Sequence, residues 1–300
     1  MPASTPRREN AILLAAGLLA GLLVWKRAEN ARKNSLFHAL RRPGTAAITG
    51  ASSGIGAEFA RQLARRGYDL LLIARRAERL SALADELTRR HPIRAEVLAA
   101  DLTDPAQLET VARRLEAIED LALLVNNAGF GTRGKFHKIE FARQKQMLDL
   151  HAGATMRLTR AALPGMVARQ RGGVINVSSL SAFYPAPGNA SYTASKAFLN
   201  NFSQSLQMDL ANGGVYIQAL CPGFTYSEFH DSGEYHNFKR ADLPGFLWMT
   251  AESVVSESLR SLGTGVVICV PGSLYKLAVL FARTGLVNPL VGLVVPRWRG

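Results

Sequence analysis

Thr45-Ala-Ala-Ile-Thr-Gly50-Ala-Ser-Ser-Gly54-Ile-Gly56 runs from an apolar segment through a cluster of glycines into a helical pattern that ends at Gly67. The apolar part has the length and character of a short buried strand. Strand, glycine turn and helix in succession have a chemical use. Glycines let the backbone approach a pyrophosphate, and the helix behind them offers unpaired N–H groups and the positive end of its dipole to that charge. The spacing of Gly50, Gly54 and Gly56 departs from the commonest dinucleotide fingerprint, in which the first two glycines are two apart. Glycine-rich strand ends also occur as plain tight turns.

Further along the chain the same alternation recurs. Asp69-Leu-Leu-Leu-Ile-Ala reads as a second strand and ends in Arg75-Arg76. In a dinucleotide fold this strand end carries an acid where the ribose 2′-hydroxyl of NAD is bound, and an arginine where a 2′-phosphate is accommodated. The acid is absent and a basic pair suits a phosphate monoester, so NADP is expected over NAD, with Arg75 as the phosphate ligand. A solvated arginine at a helix start is the plain alternative for either residue. The third strand, Ala95 to Ala100, leads to Asp101-Leu-Thr-Asp-Pro, where Asp101 is placed to bond an adenine amine and Asp104 to cap a helix. Leu121 to Val125 is the fourth strand, ending in Asn126-Asn127-Ala128-Gly129. Gly172 to Ser179, Val215 to Gly223 and Gly265 to Val270 are the fifth, sixth and seventh. Apolar runs alternating with helical stretches predict a parallel sheet covered on both faces, with ligands outside the carboxyl ends of its strands.

Ser191-Tyr192-Thr-Ala-Ser-Lys196 follows the fifth strand. On a helix a spacing of four sets Tyr192 and Lys196 on one face. A phenol with its ordinary pKa of about 10 is a poor proton shuttle at neutral pH, and a neighbouring cation that stabilises the phenolate makes it a usable acid and base.

These pieces together resemble the short-chain dehydrogenase/reductase family over roughly residues 44 to 272: Thr49-Gly-Ala-Ser-Ser-Gly-Ile-Gly, Asn126-Asn-Ala-Gly, Ser178-Ser179, Tyr192-x-x-x-Lys196 and Cys221-Pro222-Gly223, in the family's order and spacing. The resemblance implies an α/β doubly wound Rossmann fold with a seven-stranded parallel sheet. It also implies roles. Tyr192 would protonate a carbonyl oxygen as hydride arrives, or deprotonate the alcohol in reverse; Lys196 would lower the tyrosine's pKa and hold the nicotinamide ribose; Ser179, thirteen residues before Tyr192, would hydrogen-bond the reacting oxygen. Gly50, Ser52, Ser53, Ile55, Arg75, Asp101, Leu102, Asn127, Tyr192, Lys196 and Thr225 would line the cofactor, and no metal is implied. One position departs from the family. Where an asparagine usually supports a water relay to the lysine, this chain has His151, whose imidazole is expected either to serve the relay with altered pH dependence or to be a packed core side chain.

Three hundred residues with 48% hydrophobic content suffice for one sizeable domain with a tail. The net charge of +13 points to an anionic partner, and the scatter of its arginines, without interleaved aromatics, argues against nucleic acid. Cys221 and Cys269 lie in apolar strand-like runs and are expected as buried thiols. Before the domain, Ala11 to Trp25 is uncharged and bounded by Arg7-Arg8 and Lys26-Arg27. As a helix it would span about 22 Å, marginal for a hydrocarbon core of about 30 Å. It ends in an interfacial tryptophan and charges rather than a cleavage site, so an uncleaved N-terminal membrane-anchor helix with a basic linker is expected over residues 1–43. Lys26, Arg27, Arg32 and Lys33 outweigh Arg7 and Arg8, which assigns the catalytic domain to the cytoplasmic side. A packing helix is the competing reading.

Residues 224–262 exceed a plain crossover and are rich in aromatics, among them Tyr226, Phe229, Phe238 and Trp248, as expected of a lid over an apolar substrate. The tail, 273–300, is apolar and ends in Arg297-Trp298-Arg299, suited to lying on a bilayer or packing beside the lid. The expected activity is hydride transfer between NADP(H) and a lipophilic carbonyl or secondary alcohol such as a 3-oxoacyl chain or a sterol. This follows the resemblance to membrane-bound hydroxysteroid and 3-oxoacyl reductases. A non-catalytic NADP-binding regulatory or scaffold protein is the alternative, and homo-oligomerisation is left open. A sugar-nucleotide epimerase is disfavoured because little chain remains for a second domain.

Overall fold

A computed structural model describes residues 43–283 apart from 186, 212, 232–239, 241–242 and 263. The expected anchor, residues 11–25, the tail beyond 283 and the lid residues Tyr235, His236 and Phe238 lie outside the described residues. Among those described, no helix is long and apolar enough to cross a membrane.

Strands and helices alternate from the start: β1 Thr45–Thr49, α1 Gly54–Ala64, β2 Asp69–Ala74, α2 Ala77–Arg90, β3 Ala95–Ala99, α3 Pro105–Glu116 and β4 Leu121–Asn126. Then come α4 Phe141–Leu148, a π-helical turn Asp149–Ala154, α5 Thr155–Ala168, β5 Gly172–Val177, α6 Ala190–Asp209 and β6 Val215–Leu220. The described chain closes with α7 Ala251–Leu262, β7 Ile268–Cys269 and α8 Ser273–Arg283. The seven strands form one sheet in the order β3-β2-β1-β4-β5-β6-β7, and every pairing is parallel. Winding proceeds in one direction from β1 to β3 and in the other from β4 to β7, so the order reverses between β1 and β4. That is where a doubly wound sheet opens a cleft.

Because side chains alternate across a strand, each strand supplies two cores. Ala46, Ile48, Leu70 and Leu72 face α1, α2 and α7, packing with Phe59, Leu80 and Val254. Ala47, Leu71, Ile73 and Leu124 face the opposite layer, packing with Val111, Leu115, Leu158 and Ala162 of α3 and α5. Each fully buried aliphatic side chain contributes about 1.5–3 kcal/mol, and burial on both faces explains why these strands read as unbroken apolar runs. Asp104 caps α3, accepting from the N–H groups of Ala106 at 2.8 Å and Gln107 at 3.0 Å, with Pro105 at the first helical position.

Three boundaries differ from those expected. The seventh strand is confined to Ile268–Cys269, paired only with Ala219 and Leu220 of β6. Gly265 turns with φ +76° and Val266 is exposed, so the apolar run before the strand lies outside the sheet. Residues 251–262, expected within the lid, form the core helix α7, with Val254, Val255 and Leu262 buried against the sheet. The domain's packing continues past 272 into the start of the tail. Tyr275 and Val279 of α8 are buried with Ala219, Cys221 and Val270, and the Tyr275 hydroxyl donates to the Leu247 carbonyl and accepts from the Phe224 N–H at 3.2 Å. A Cβ on Gly223 would stand 2.2 Å from the Tyr275 ring, so only glycine admits this brace.

Candidate active site

At the reversal point the Thr49 hydroxyl ties β1 to β4, accepting from the N–H groups of Asn127 at 2.9 Å and Ala128 at 3.0 Å. The Asn127 side chain returns the tie, donating to the carbonyls of Thr49 at 3.0 Å and Gly50 at 3.2 Å. Asn127 therefore shapes the glycine turn with its amide. Behind the turn, α1 starts at Gly54 with φ +53°, and Ser53 makes no capping bond. An uncapped helix start presents its first N–H groups and its dipole to an anion.

Around this turn the expected cofactor residues divide. Ser52 and Ser53 both accept from Arg76, at 2.9 Å each. It is Arg76, not the expected Arg75, that lies over the glycine turn. Arg75 points to the neighbouring loop, 3.8 Å from the Asp101 carboxylate. Asp101 accepts from the N–H and hydroxyl of Thr103 at 2.9 and 2.8 Å, so its carboxylate closes its own loop. Leu102 is buried in the core with Ile73 and Ala112. Ile55 is part-buried in the first turn of α1. The Thr225 hydroxyl donates to its own loop, to the Gly223 carbonyl at 3.1 Å. Two residues on, Ser227 reaches the turn instead: a Cβ on Gly54 would meet the Ser227 Cβ at 3.0 Å. Arg76 and Arg79 together hold the Glu228 carboxylate, at 2.9 and 2.6 Å. The glycine turn, the uncapped helix and a pair of guanidinium groups fit a phosphorylated dinucleotide.

The second half of the site gathers at the carboxyl ends of β5 and β6. Tyr192 and Lys196 share one face of α6, with Nζ 5.7 Å from the centre of the phenol ring. Nζ donates to the Val177 carbonyl at 2.8 Å, and the buried Ser178 hydroxyl donates to the Lys196 carbonyl at 2.8 Å, which fixes α6 against β5. Ser178 is thereby committed to structure. Ser179 is the serine whose side chain acts on the Tyr192 phenol, and its oxygen accepts from the Ser181 N–H at 3.1 Å. Burial dominates the ionisation of both groups. It pushes the phenol up to about 12, against the downward pull of the Ser179 side chain, and draws the Lys196 ammonium down to about 7. The lowering of the tyrosine by the lysine, expected from their spacing, is absent because burial leaves the amine uncharged at the high pH where the buried phenol would ionise.

His151 lies inside the π-helical turn between α4 and α5, buried, with its ring edge-on to Tyr192 at 5.9 Å. Its Nε2 accepts from the Phe130 N–H at 3.3 Å. Nδ1 is 2.9 Å from the Ser195 hydroxyl, whose own proton goes to the Tyr192 carbonyl at 2.7 Å. The ring is therefore the neutral tautomer protonated at Nδ1, and both nitrogens are engaged. Burial first, and the charge of Lys196 second, hold its pKa well below the ordinary value. With both nitrogens engaged within the chain, neither is left for a water relay, one of the two roles expected of this residue.

A family model described as short chain dehydrogenase matches residues 44–235. The chain belongs to this family. As a short-chain dehydrogenase it is an NAD(P)-dependent oxidoreductase of the CH–OH and carbonyl class, similar to several characterised members. A very-long-chain 3-oxoacyl-CoA reductase of Anas platyrhynchos is 30% identical over 254 residues, which cover 83% of this chain and 77% of the relative. The inactive hydroxysteroid dehydrogenase-like protein 1 of Homo sapiens is 31% identical over 59% of this chain and 54% of the relative. The short-chain dehydrogenase from Sphingobium yanoikuyae, solved in complex with NADPH, superposes with a TM-score of 0.73 at 34% identity, covering 86% of this chain and 98% of that one. Beyond the family motifs and the lid aromatics, three site residues went unread in the sequence: Arg79, Ser227 and Glu228. Arg79 had a signal, since it follows Arg76 by three residues and so shares its helix face. The other two had only their closeness to Thr225.

Proposed function

We propose that the protein transfers hydride between NADP(H) and a lipophilic carbonyl or secondary alcohol of the 3-oxoacyl or sterol kind. The observation that carries this reading is the convergence of Ser179, Tyr192 and Lys196 beside a glycine turn that Arg76 crowns. The bound nicotinamide supplies or accepts the hydride, and the chain's residues manage the proton and the geometry. Tyr192 exchanges a proton with the reacting oxygen and Ser179 holds that oxygen by a hydrogen bond. Lys196, while protonated, steadies the charge left on the phenol oxygen as its proton departs, and offers the donors it does not spend on Val177 to the nicotinamide ribose. Gly50, Ser52, Ser53, Ile55 and Asn127 shape the dinucleotide's seat, with Arg76 in the phosphate role first expected of Arg75. His151 is a positioning residue: through Ser195 and Phe130 it fixes the backbone at Tyr192 and the β4 loop.

The preference for NADP is supported by Arg76 after β2 and Arg79 in the first turn of α2, and by the NADPH complex of the Sphingobium relative. The lipophilic substrate is supported by the aromatic segment above the cleft, where Trp248 stacks on Tyr226 at 5.1 Å, and by the 3-oxoacyl-CoA reductase relative. A membrane location, through residues 11–25 and a cytoplasmic domain, is supported by the apolar run and its flanking charges. Turnover of NADPH and NADH against detergent-dispersed 3-oxoacyl thioesters, ketosteroids and small ketones tests the proposal. The expected result is NADPH oxidation with the long or bulky carbonyls, at a kcat/KM at least about tenfold above that with NADH. Turnover with small ketones alone would overturn the substrate class. The second reading, a non-catalytic dinucleotide-binding protein, is favoured by the inactive human relative. Cofactor binding without turnover on any carbonyl would select it.

A further inference from the structure

Three consecutive side chains of the segment that follows β6 sit where a dinucleotide would lie. Ser227 stands over Gly54 at the start of α1. Glu228 is clasped by Arg76 at 2.9 Å and Arg79 at 2.6 Å. The Phe229 ring is 6.0 Å from the ring of Tyr192. Arg240 holds the segment from behind, donating to the Ser227 carbonyl at 2.8 Å. The site thus has an anion on its arginine pair already, and it belongs to the chain itself.

We propose that Glu228 is an internal stand-in for a phosphate monoester: its carboxylate occupies the Arg76 and Arg79 subsite, and a ligand phosphate must displace it to bind. The inference rests on the reading of Arg76 as a phosphate ligand. The chemistry allows the exchange. A carboxylate brings one charge and two acceptor oxygens, whereas a phosphate monoester brings nearly two charges and three oxygens to the same guanidinium groups. The pairs Glu228 makes are half exposed, so they hold weakly enough to be replaced. Ser52 and Ser53 keep Arg76 oriented whichever anion it carries. A ligand without the phosphate gains nothing from expelling Glu228, so this residue adjusts the discrimination between the two dinucleotides. It also links phosphate arrival to the release of Phe229 from Tyr192, one residue away.

Calorimetric titration of the full-length protein and its E228Q variant with 2′,5′-ADP and with 5′-ADP reads this directly, without turnover. A subsite blocked by a competing group lowers apparent affinity by the fraction of time it is blocked. E228Q is therefore expected to raise the ratio of 2′,5′-ADP to 5′-ADP affinity by about 3- to 10-fold over the unsubstituted protein. An unchanged or lower ratio, as when Glu228 merely orients the arginines, overturns the proposal. Preference for NADP is judged separately, from the ratio in the unsubstituted protein. Equal affinities there with discrimination gained in E228Q would support the stand-in while counting against NADP selectivity. No discrimination in either protein would sink both.

Discussion

With its phenol pushed up to about 12, Tyr192 keeps its proton throughout the physiological range and has it to donate in the reductive direction. Lys196 behaves differently, since burial draws it down to about 7 and it loses its charge as pH rises through neutrality. Carbonyl reduction is therefore expected to slow as pH rises through about 7, and kcat/KM with NADPH, which reports the free enzyme, should show a descending limb there. A flat profile from about pH 6 to 9 would show that Lys196 does not act through its charge. Tyr192→Phe should cut turnover by at least about 10³-fold while leaving NADPH affinity within about threefold, read by kinetics and calorimetry. At His151 the linkage runs the other way from a surface histidine. Its folded pKa lies well below 6.5, so as pH falls past that value the unfolded chain takes a proton that the folded ring refuses, and stability declines. His151→Asn is expected to flatten the loss of melting temperature between about pH 6.5 and 5, whatever it does to rate. The residue types of this site were legible because their chemistry fixes their spacing, as in Tyr192 and Lys196. Their ionisation was not, because it depends on the Val177 carbonyl and on burial, which no spacing encodes.

The elements that were easiest to read are those buried on both faces. β1, β2 and β4 to β6 appear as continuous apolar runs because each feeds two cores, and their polar clusters fall at the carboxyl ends for the same topological reason. β7 and the lid were harder. An edge strand with one neighbour needs only two paired residues, and the aromatic content of residues 224–249 masked the helical spacing of Val254, Val255, Ser258 and Leu262 that follows. Which of two adjacent arginines turns toward the glycine loop likewise depends on the start of α2, which sets Arg76 as its cap residue and leaves Arg75 outward. The junction of β1 with β4 gives an element-scale prediction. Thr49 is buried, and its hydroxyl is the acceptor for the N–H groups of Asn127 and Ala128. Thr49→Val keeps the shape and strands those donors, at a cost of about 2–4 kcal/mol from leaving two buried groups unpaired. Denaturant unfolding should record that loss, together with weaker binding of either dinucleotide because the Asn127 brace on Gly50 loosens. A loss below about 0.5 kcal/mol would mean that the turn is held by other contacts.

At the scale of the whole molecule, two features bear on where the protein works. The chain carries a net charge of +13, and α8 exposes Leu274, Leu277, Leu280 and Phe281 while burying Tyr275 and Val279. A basic surface and one apolar helix face give reversible attachment to an acidic bilayer, sensitive to salt. An inserted helix gives attachment that salt and alkali leave intact. The run from Ala11 to Trp25 has the composition for insertion; as a helix it would be about 22 Å long, a length that flanking arginines and lysines would have to extend by snorkelling. The two modes separate by extraction. Expressed in full, the protein is expected to sediment with membranes and to stay there through washes with about 1 M salt and with alkaline carbonate, leaving only in detergent. A variant starting at Gly44 should move to the supernatant in salt while keeping NADPH binding, since every described strand and helix begins after Gly44. Release of the full chain by salt alone would reduce residues 11–25 to a packing helix, and the bilayer would then be held by charge and α8 alone.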